Sequence, residues 1–113
     1  MSKETIGVKD FPEVAQDLKF LGDYIRIARK RRNQTMKEVA ERTRLGYQTI
    51  VRIEKGDPGV SISAYLGVLW LFGMDKEFVN SLRPEHDKNG LALEIMALPK
   101  RAGKAKKDSN YDF

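Results

Sequence analysis

An all-α fold follows from three features of this 113-residue chain. Apolar residues recur every three or four positions in several segments, the signature of one helix face. These segments open on capping residues or proline and close on glycine or a turn cluster. Alternating apolar and polar runs, which would signal strands, are nearly absent.

The first helix starts near Asp10 and Pro12, because proline suits a first turn and an acidic residue caps it. From there to Arg32, its apolar face is marked by Val14, Leu18, Leu21, Ile25 and Ala28, with Tyr24 and Ile27 beside them. Gly22 bends or divides it. Asn33 and Gln34 break the pattern. Thr35 is an N-cap and Glu38 completes a capping box, so a second helix runs through Thr43 and buries Met36, Val39 and Ala40. Gly46 opens a third helix that reaches about Lys55, with Ile50 and Ile53 inward and Gly56 ending it. Asp57-Pro58-Gly59 is a turn. Ser61 or Ser63 caps a fourth, strongly apolar helix through Phe72, carrying Leu66, Leu69 and Trp70 and stopped by Gly73. Asp75 caps a fifth, short helix holding Phe78, Val79 and Leu82. Arg83 to Asn89 is a polar linker, and Leu91 to Leu98 favours a short helix over a strand. Residues 100–113 are too polar to order themselves.

Composition narrows the function. A chain of this length holds one core. Its longest apolar run, Val68 to Phe72, is too short for a bilayer, and no apolar leader follows Met1. Cysteine is absent, which excludes disulfides and thiolate ligands and fits a reducing cytosol, so a cytoplasmic protein is expected. The net charge of +5 is unevenly placed. Residues 19–44 carry nine basic and three acidic side chains, and residues 100–113 carry five and two. Clustered positive charge attracts polyanions through counterion release, or simply solvates a helix face and a tail.

Between Thr35 and Gly56, two short amphipathic segments are separated only by Arg44, Leu45 and Gly46. That spacing is the helix-turn-helix arrangement, although it also fits an αα-hairpin with no DNA role. In a helix-turn-helix the first helix crosses a phosphate backbone, while the second enters the major groove and reads base edges. The stretches "T-M-K-E-V-A-E-R-T" and "Y-Q-T-I-V-R-I-E-K-G" resemble the Cro/C1-type (XRE) helix-turn-helix family, over about residues 20–80.

The resemblance implies a five-helix, lambda-repressor-like bundle, to which the residues' own composition adds a flexible N-terminus and a basic C-terminal tail. Its segments are residues 1–10, a DNA-binding domain over 11–82, a linker and short C-terminal helix over 83–99, and a disordered tail over 100–113. It implies a bacterial, cytoplasmic, nucleoid-associated transcriptional repressor, a homodimer on a palindromic operator. Bases would be read by Tyr47, Gln48, Val51 and Arg52, with Gln48 pairing to adenine, Arg52 to guanine and Val51 touching a thymine methyl. Met36, Lys37, Gly46, Thr49 and Lys55 complete the expected DNA-binding set, and Arg29 with Glu54 would form a structural ion pair. Three positions depart from the family pattern. Arg44 stands where the turn usually has glycine, Met36 where the second helix usually opens on glutamine, and Gly46 where serine or threonine usually caps the third.

Catalysis is not expected. The one histidine, His86, has no cysteine or second histidine to complete a metal site or a nucleophile–base pair, and no cofactor motif is present. Trp70 and Phe72 fit core or dimer contacts better than a ligand pocket. The tail's "D-S-N-Y-D-F" is similar to the tails of HipB-like regulators, which implies an alternative. That alternative is an antitoxin that neutralises a HipA-like kinase toxin and represses its own operon, with Tyr111 and Phe113 as anchors.

Overall fold

The structure, a computed structural model, describes residues 10–99. Within them lie six α-helices and one 3₁₀ turn, and no strand. The helices are α1 (Pro12–Arg31), α2 (Met36–Thr43), α3 (Tyr47–Glu54), α4 (Ile62–Leu71), α5 (Asp75–Asn80) and α6 (Lys88–Ala97), with the 3₁₀ turn at Pro84–His86. The expected flexible N-terminus and disordered tail, including Tyr111 and Phe113, lie outside the described residues. The chain divides into two compact units, the first ending at Glu77 and the second beginning at Phe78.

In the first unit α2 packs on α3 and α4, and α1 packs on α3. Ile25, Val39, Ile50, Ile53 and Val68 are fully buried, with Ala28, Ala40, Ala64, Tyr65, Leu69 and Phe72 around them. Each large aliphatic group so buried contributes roughly 1.5–3 kcal/mol.

Local chemistry explains most boundaries. Thr35 Oγ1 accepts from the Glu38 N–H at 3.0 Å while Glu38 Oε1 accepts from the Thr35 N–H at 2.8 Å, a complete capping box. Ser61, not Ser63, caps α4 by accepting from the Ala64 N–H. The cap of α1 differs from expectation. Phe11 holds the N-cap position without a side-chain bond, and Pro12 supplies the start. Asp75 is the first residue of α5, not its cap.

Gly22 does not divide α1, which is continuous. It is buried, and a Cβ built there would lie 2.6 Å from the Glu54 carbonyl oxygen and 2.7 Å from that of Ile53. Glycine is required because the end of α3 rests directly on α1. Tyr24 and Ile27 are 60% and 46% exposed, and Trp70 is 64% exposed, so none of the three is a core residue. Apolar spacing identifies a helix face but not whether another element covers it.

In the second unit the expected polar linker contains the 3₁₀ turn and is shorter than expected, because Lys88 and Asn89 already belong to α6. His86 Nδ1 lies 3.2 Å from the Ser81 carbonyl oxygen. Asp87 caps α6 by accepting from the Gly90 N–H at 3.0 Å. No helix of the described residues is long and apolar enough to cross a membrane.

Candidate nucleic-acid interface

The turn between α2 and α3 is built on a left-handed residue. Arg44 ends α2 at φ 63°, ψ 21°, accepting the conformation glycine would take freely, at a cost of order 1 kcal/mol. Thr43 supports the turn, its Oγ1 donating to the Val39 carbonyl at 2.7 Å and accepting from the Leu45 N–H. Gly46 then caps α3 through its backbone alone, with no side-chain bond.

Behind the turn, Arg29 locks three elements together. Its Nε donates to Glu54 Oε2 at 2.6 Å and its Nη2 to Glu54 Oε1 at 3.0 Å, a fork on the last residue of α3. Its Nη1 donates to the Gln34 carbonyl at 2.8 Å, at the entrance to α2. Both side chains are nearly buried, and the bond to Glu54, opposed by burial, raises the Arg29 pKa.

At 100° per residue, Tyr47, Gln48, Val51, Arg52 and Lys55 share one side of α3, opposite Ile50 and Ile53. Tyr47, Gln48, Arg52 and Lys55 are exposed and Val51 is half-buried. Thr49 does not join them. It is half-buried and turns toward the side away from that row.

Both helix starts leave backbone donors without intrahelical partners. At α2, the Glu38 and Val39 N–H groups bond to Thr35, which leaves those of Met36 and Lys37 free of intrahelical partners. At α3, the Thr49 and Ile50 N–H groups bond to the Gly46 carbonyl, and Tyr47 and Gln48 stand in the same free positions. Such N-termini attract anionic groups. The Met36 side chain is half-buried, so its backbone rather than its thioether is available there, while Lys37 is exposed.

Arg52 is held by a partner that sequence reasoning did not find. Its Nε donates to Asp57 Oδ2 at 2.7 Å, and Asp57 Oδ1 accepts from the Gly59 N–H at 2.7 Å. The Arg52 bond, then the Gly59 bond, holds the Asp57 carboxyl below its usual pKa. That contribution to stability is present above the unfolded carboxylate pKa, about 3.9, and is lost as pH falls through the lowered folded value. Tyr65 fixes the same turn by donating its hydroxyl to the Asp57 carbonyl at 2.8 Å. The signal available was Asp57 five residues after Arg52, opening an Asp-Pro-Gly turn.

The basic run of residues 19–44 is also less free than its count suggests. Besides Arg29, Arg32 is engaged, donating from Nη1 to Ala28 O and from Nη2 to Phe72 O while its guanidinium lies 5.1 Å from the Phe72 ring centroid. It ties the end of α1 to the end of α4.

The geometry is thus two short helices, a three-residue turn and an exposed row at the start of the second helix. The helix-turn-helix domain family matches residues 21–82, more than half of the chain, and the chain belongs to that family. These are DNA-binding domains. Comparison with curated proteins and with solved structures returns no match.

Proposed function

We propose that the protein is a regulator of the Cro/C1-type (XRE) kind, a dimeric repressor that reads duplex DNA with α3. The observation that carries this reading is the outward row Tyr47, Gln48, Val51, Arg52 and Lys55 on a helix anchored through Glu54. The N–H groups left free at the starts of α2 and α3 support it, since such N-termini bind anionic groups. Gln48 has the two-pronged amide that pairs with adenine. Arg52 is steadied by Asp57 through Nε, which leaves both Nη groups to meet guanine O6 and N7. Thr49 contributes through its backbone and packing.

One α3 reads only a few base pairs, so a dimer needs two half-sites about one helical turn apart, ~34 Å. Duplexes selected from a random pool should be palindromic, with footprints on two adjacent major grooves. Selection that enriches no common sequence would defeat the reading.

Readers and anchors separate by mutation. Arg52→Ala should relax base choice at one position per half-site and cost roughly 1–3 kcal/mol. Lys55→Ala should weaken binding to all sequences alike and reduce the salt slope by about one for each monomer bound. Equal losses for both variants across a panel of operator variants would remove Arg52 from the reading set.

A second reading, the antitoxin, rests on the Asp-Ser-Asn-Tyr-Asp-Phe segment at 108–113. Deleting those six residues removes Tyr111 and Phe113 but no basic side chain. DNA affinity should persist while binding of a kinase-like partner in a pull-down falls. Undiminished partner binding would separate the tail from that role.

A further inference from the structure

The outer face of α1 carries a row of side chains that neither the core nor the DNA-reading row uses. Glu13, Asp17, Phe20, Tyr24, Ile27 and Arg31 follow one another at alternating spacings of four and three, so they fall in one narrow stripe. All six are exposed. Phe20 is 44%, Tyr24 60% and Ile27 46% exposed, and the Phe20 and Tyr24 rings stack with centroids 6.2 Å apart. The stripe is acidic at its N-terminal end, apolar and aromatic in the middle and basic at its C-terminal end.

We propose that this stripe is a self-association surface whose occupant is the same stripe of a second copy, running antiparallel. The proposal names the interface for the dimer inferred above and rests on the dimeric part of that reading. A two-fold interface must be self-complementary, residue i meeting j while j meets i. An antiparallel pair crossing between the Phe20 and Tyr24 levels gives every residue of the stripe a reciprocal partner. Glu13 lies opposite Arg31 of the second copy, Asp17 opposite its Ile27, and Phe20 opposite its Tyr24. Each acidic end therefore meets a basic end, and four aromatic rings close the centre.

Surface relief agrees with this pairing. A shallow depression formed by Pro12, Glu13, Gln16 and Asp17 lies where Arg31 of the second copy would arrive. A deeper groove runs between the Tyr24–Ile27–Arg31 side of α1 and Met74 and Glu77. Val14 is 41% exposed on the flank of α1, and in this pairing Val14 of the second copy comes to that groove beside Ala28. Asp23 flanks the crossing point and meets its own counterpart there, a weak repulsion at an exposed site. One helix per copy makes a small interface, at the low end of the range for specific contacts, so association in the micromolar range is expected.

Charge exchange tests the pairing on the full chain, read by sedimentation velocity over a concentration series. Glu13→Arg and Arg31→Glu should each weaken self-association by about tenfold, because the two-fold axis turns one swap into two repulsive contacts. Mixing the two variants should restore association as a heterodimer, since its two end contacts each pair one basic with one acidic side chain, one in the swapped and one in the parental arrangement. The double variant E13R/R31E should associate like the parent. Phe20→Ser should weaken association while its melting temperature, taken at dilution where the parent is also monomeric, stays that of the parent. Single swaps that associate as the parent does, or a mixture that stays dissociated, would overturn the α1 interface. A parent that remains dimeric through all these changes also overturns it, yet leaves the dimer on DNA standing. A footprint over a single half-site would remove the dimer reading itself, whatever the swaps show.

Discussion

Glu54→Ala should lower the stability of the fold by about 3–5 kcal/mol, the range for breaking a buried ion pair from one side. The size follows from what is left behind. Arg29 is 8% exposed and cannot lose its proton, so without Glu54 it keeps a charge in a site that water scarcely reaches. Its remaining bond, Nη1 to the Gln34 carbonyl at 2.8 Å, accounts for only one of its donors. A small domain has roughly 5–15 kcal/mol in total, so this single change would bring it close to the unfolding threshold. Urea unfolding checks the value through the midpoint and the slope. Glu54→Gln should lose less, because one side-chain oxygen still accepts from the fork. Removing both partners as Arg29→Met with Glu54→Leu should recover much of the loss, since no charge is then stranded. A midpoint unchanged by Glu54→Ala would mean that the pair is hydrated in solution. DNA affinity gives a second readout, because Glu54 is the residue through which α3 is anchored to α1.

Features written in neighbouring residues were legible in the sequence. The Thr35–Glu38 box and the start of α3 at Gly46 depend on contacts within one turn and are found in the structure. Ser61 is the one of the two candidate serines that caps α4, and the helix expected over Leu91 to Leu98 is present but runs Lys88–Ala97, starting inside the expected linker. The core positions Ile25, Val39, Ala40, Ile50, Ile53 and Leu69 were legible for the same reason. Periodicity could not say which apolar side chains remain uncovered. Tyr24, Ile27 and Trp70 have the spacing and character of core residues and face solvent, because coverage depends on another element arriving. Nor could the sequence show how basic residues are used. Arg32 reaches the Phe72 carbonyl across 40 positions, and no local pattern encodes that contact. At the candidate interface, the row on α3 follows from helical geometry once the helix start is known. The same geometry sets Thr49 apart. The Asp57 support of Arg52 depends on the turn after α3 folding back along it, which residue types alone do not specify.

Gly22→Ala should destabilise by about 2–3 kcal/mol, although alanine favours a helix interior over glycine by up to ~1 kcal/mol. The added methyl would meet backbone from the opposing segment, 2.6 Å from Glu54 O, 2.7 Å from Ile53 O and 2.8 Å from Gly56 N, and none of these can rotate away. Relief requires α1 to move off the end of α3, which also stretches the Arg29–Glu54 fork. Gly56 faces the same seam from the other side. It adopts φ +73°, and its added Cβ would strike the Leu18 carbonyl, so Gly56→Ala suffers both left-handed strain and collision. Two other glycines isolate these causes. Gly73 has φ +73° with nothing within 4 Å of a new Cβ, so Gly73→Ala should show backbone strain alone, about 1–2 kcal/mol. Gly67 lies inside α4 with open space around it, so Gly67→Ala should stabilise by up to ~1 kcal/mol. Thermal melts of the four variants should therefore rank Gly67→Ala highest, then Gly73→Ala, with Gly22→Ala and Gly56→Ala lowest. If Gly22→Ala melted beside Gly67→Ala, α1 and α3 would not approach through backbone, and the position of the DNA-reading helix would have to be fixed by side chains alone.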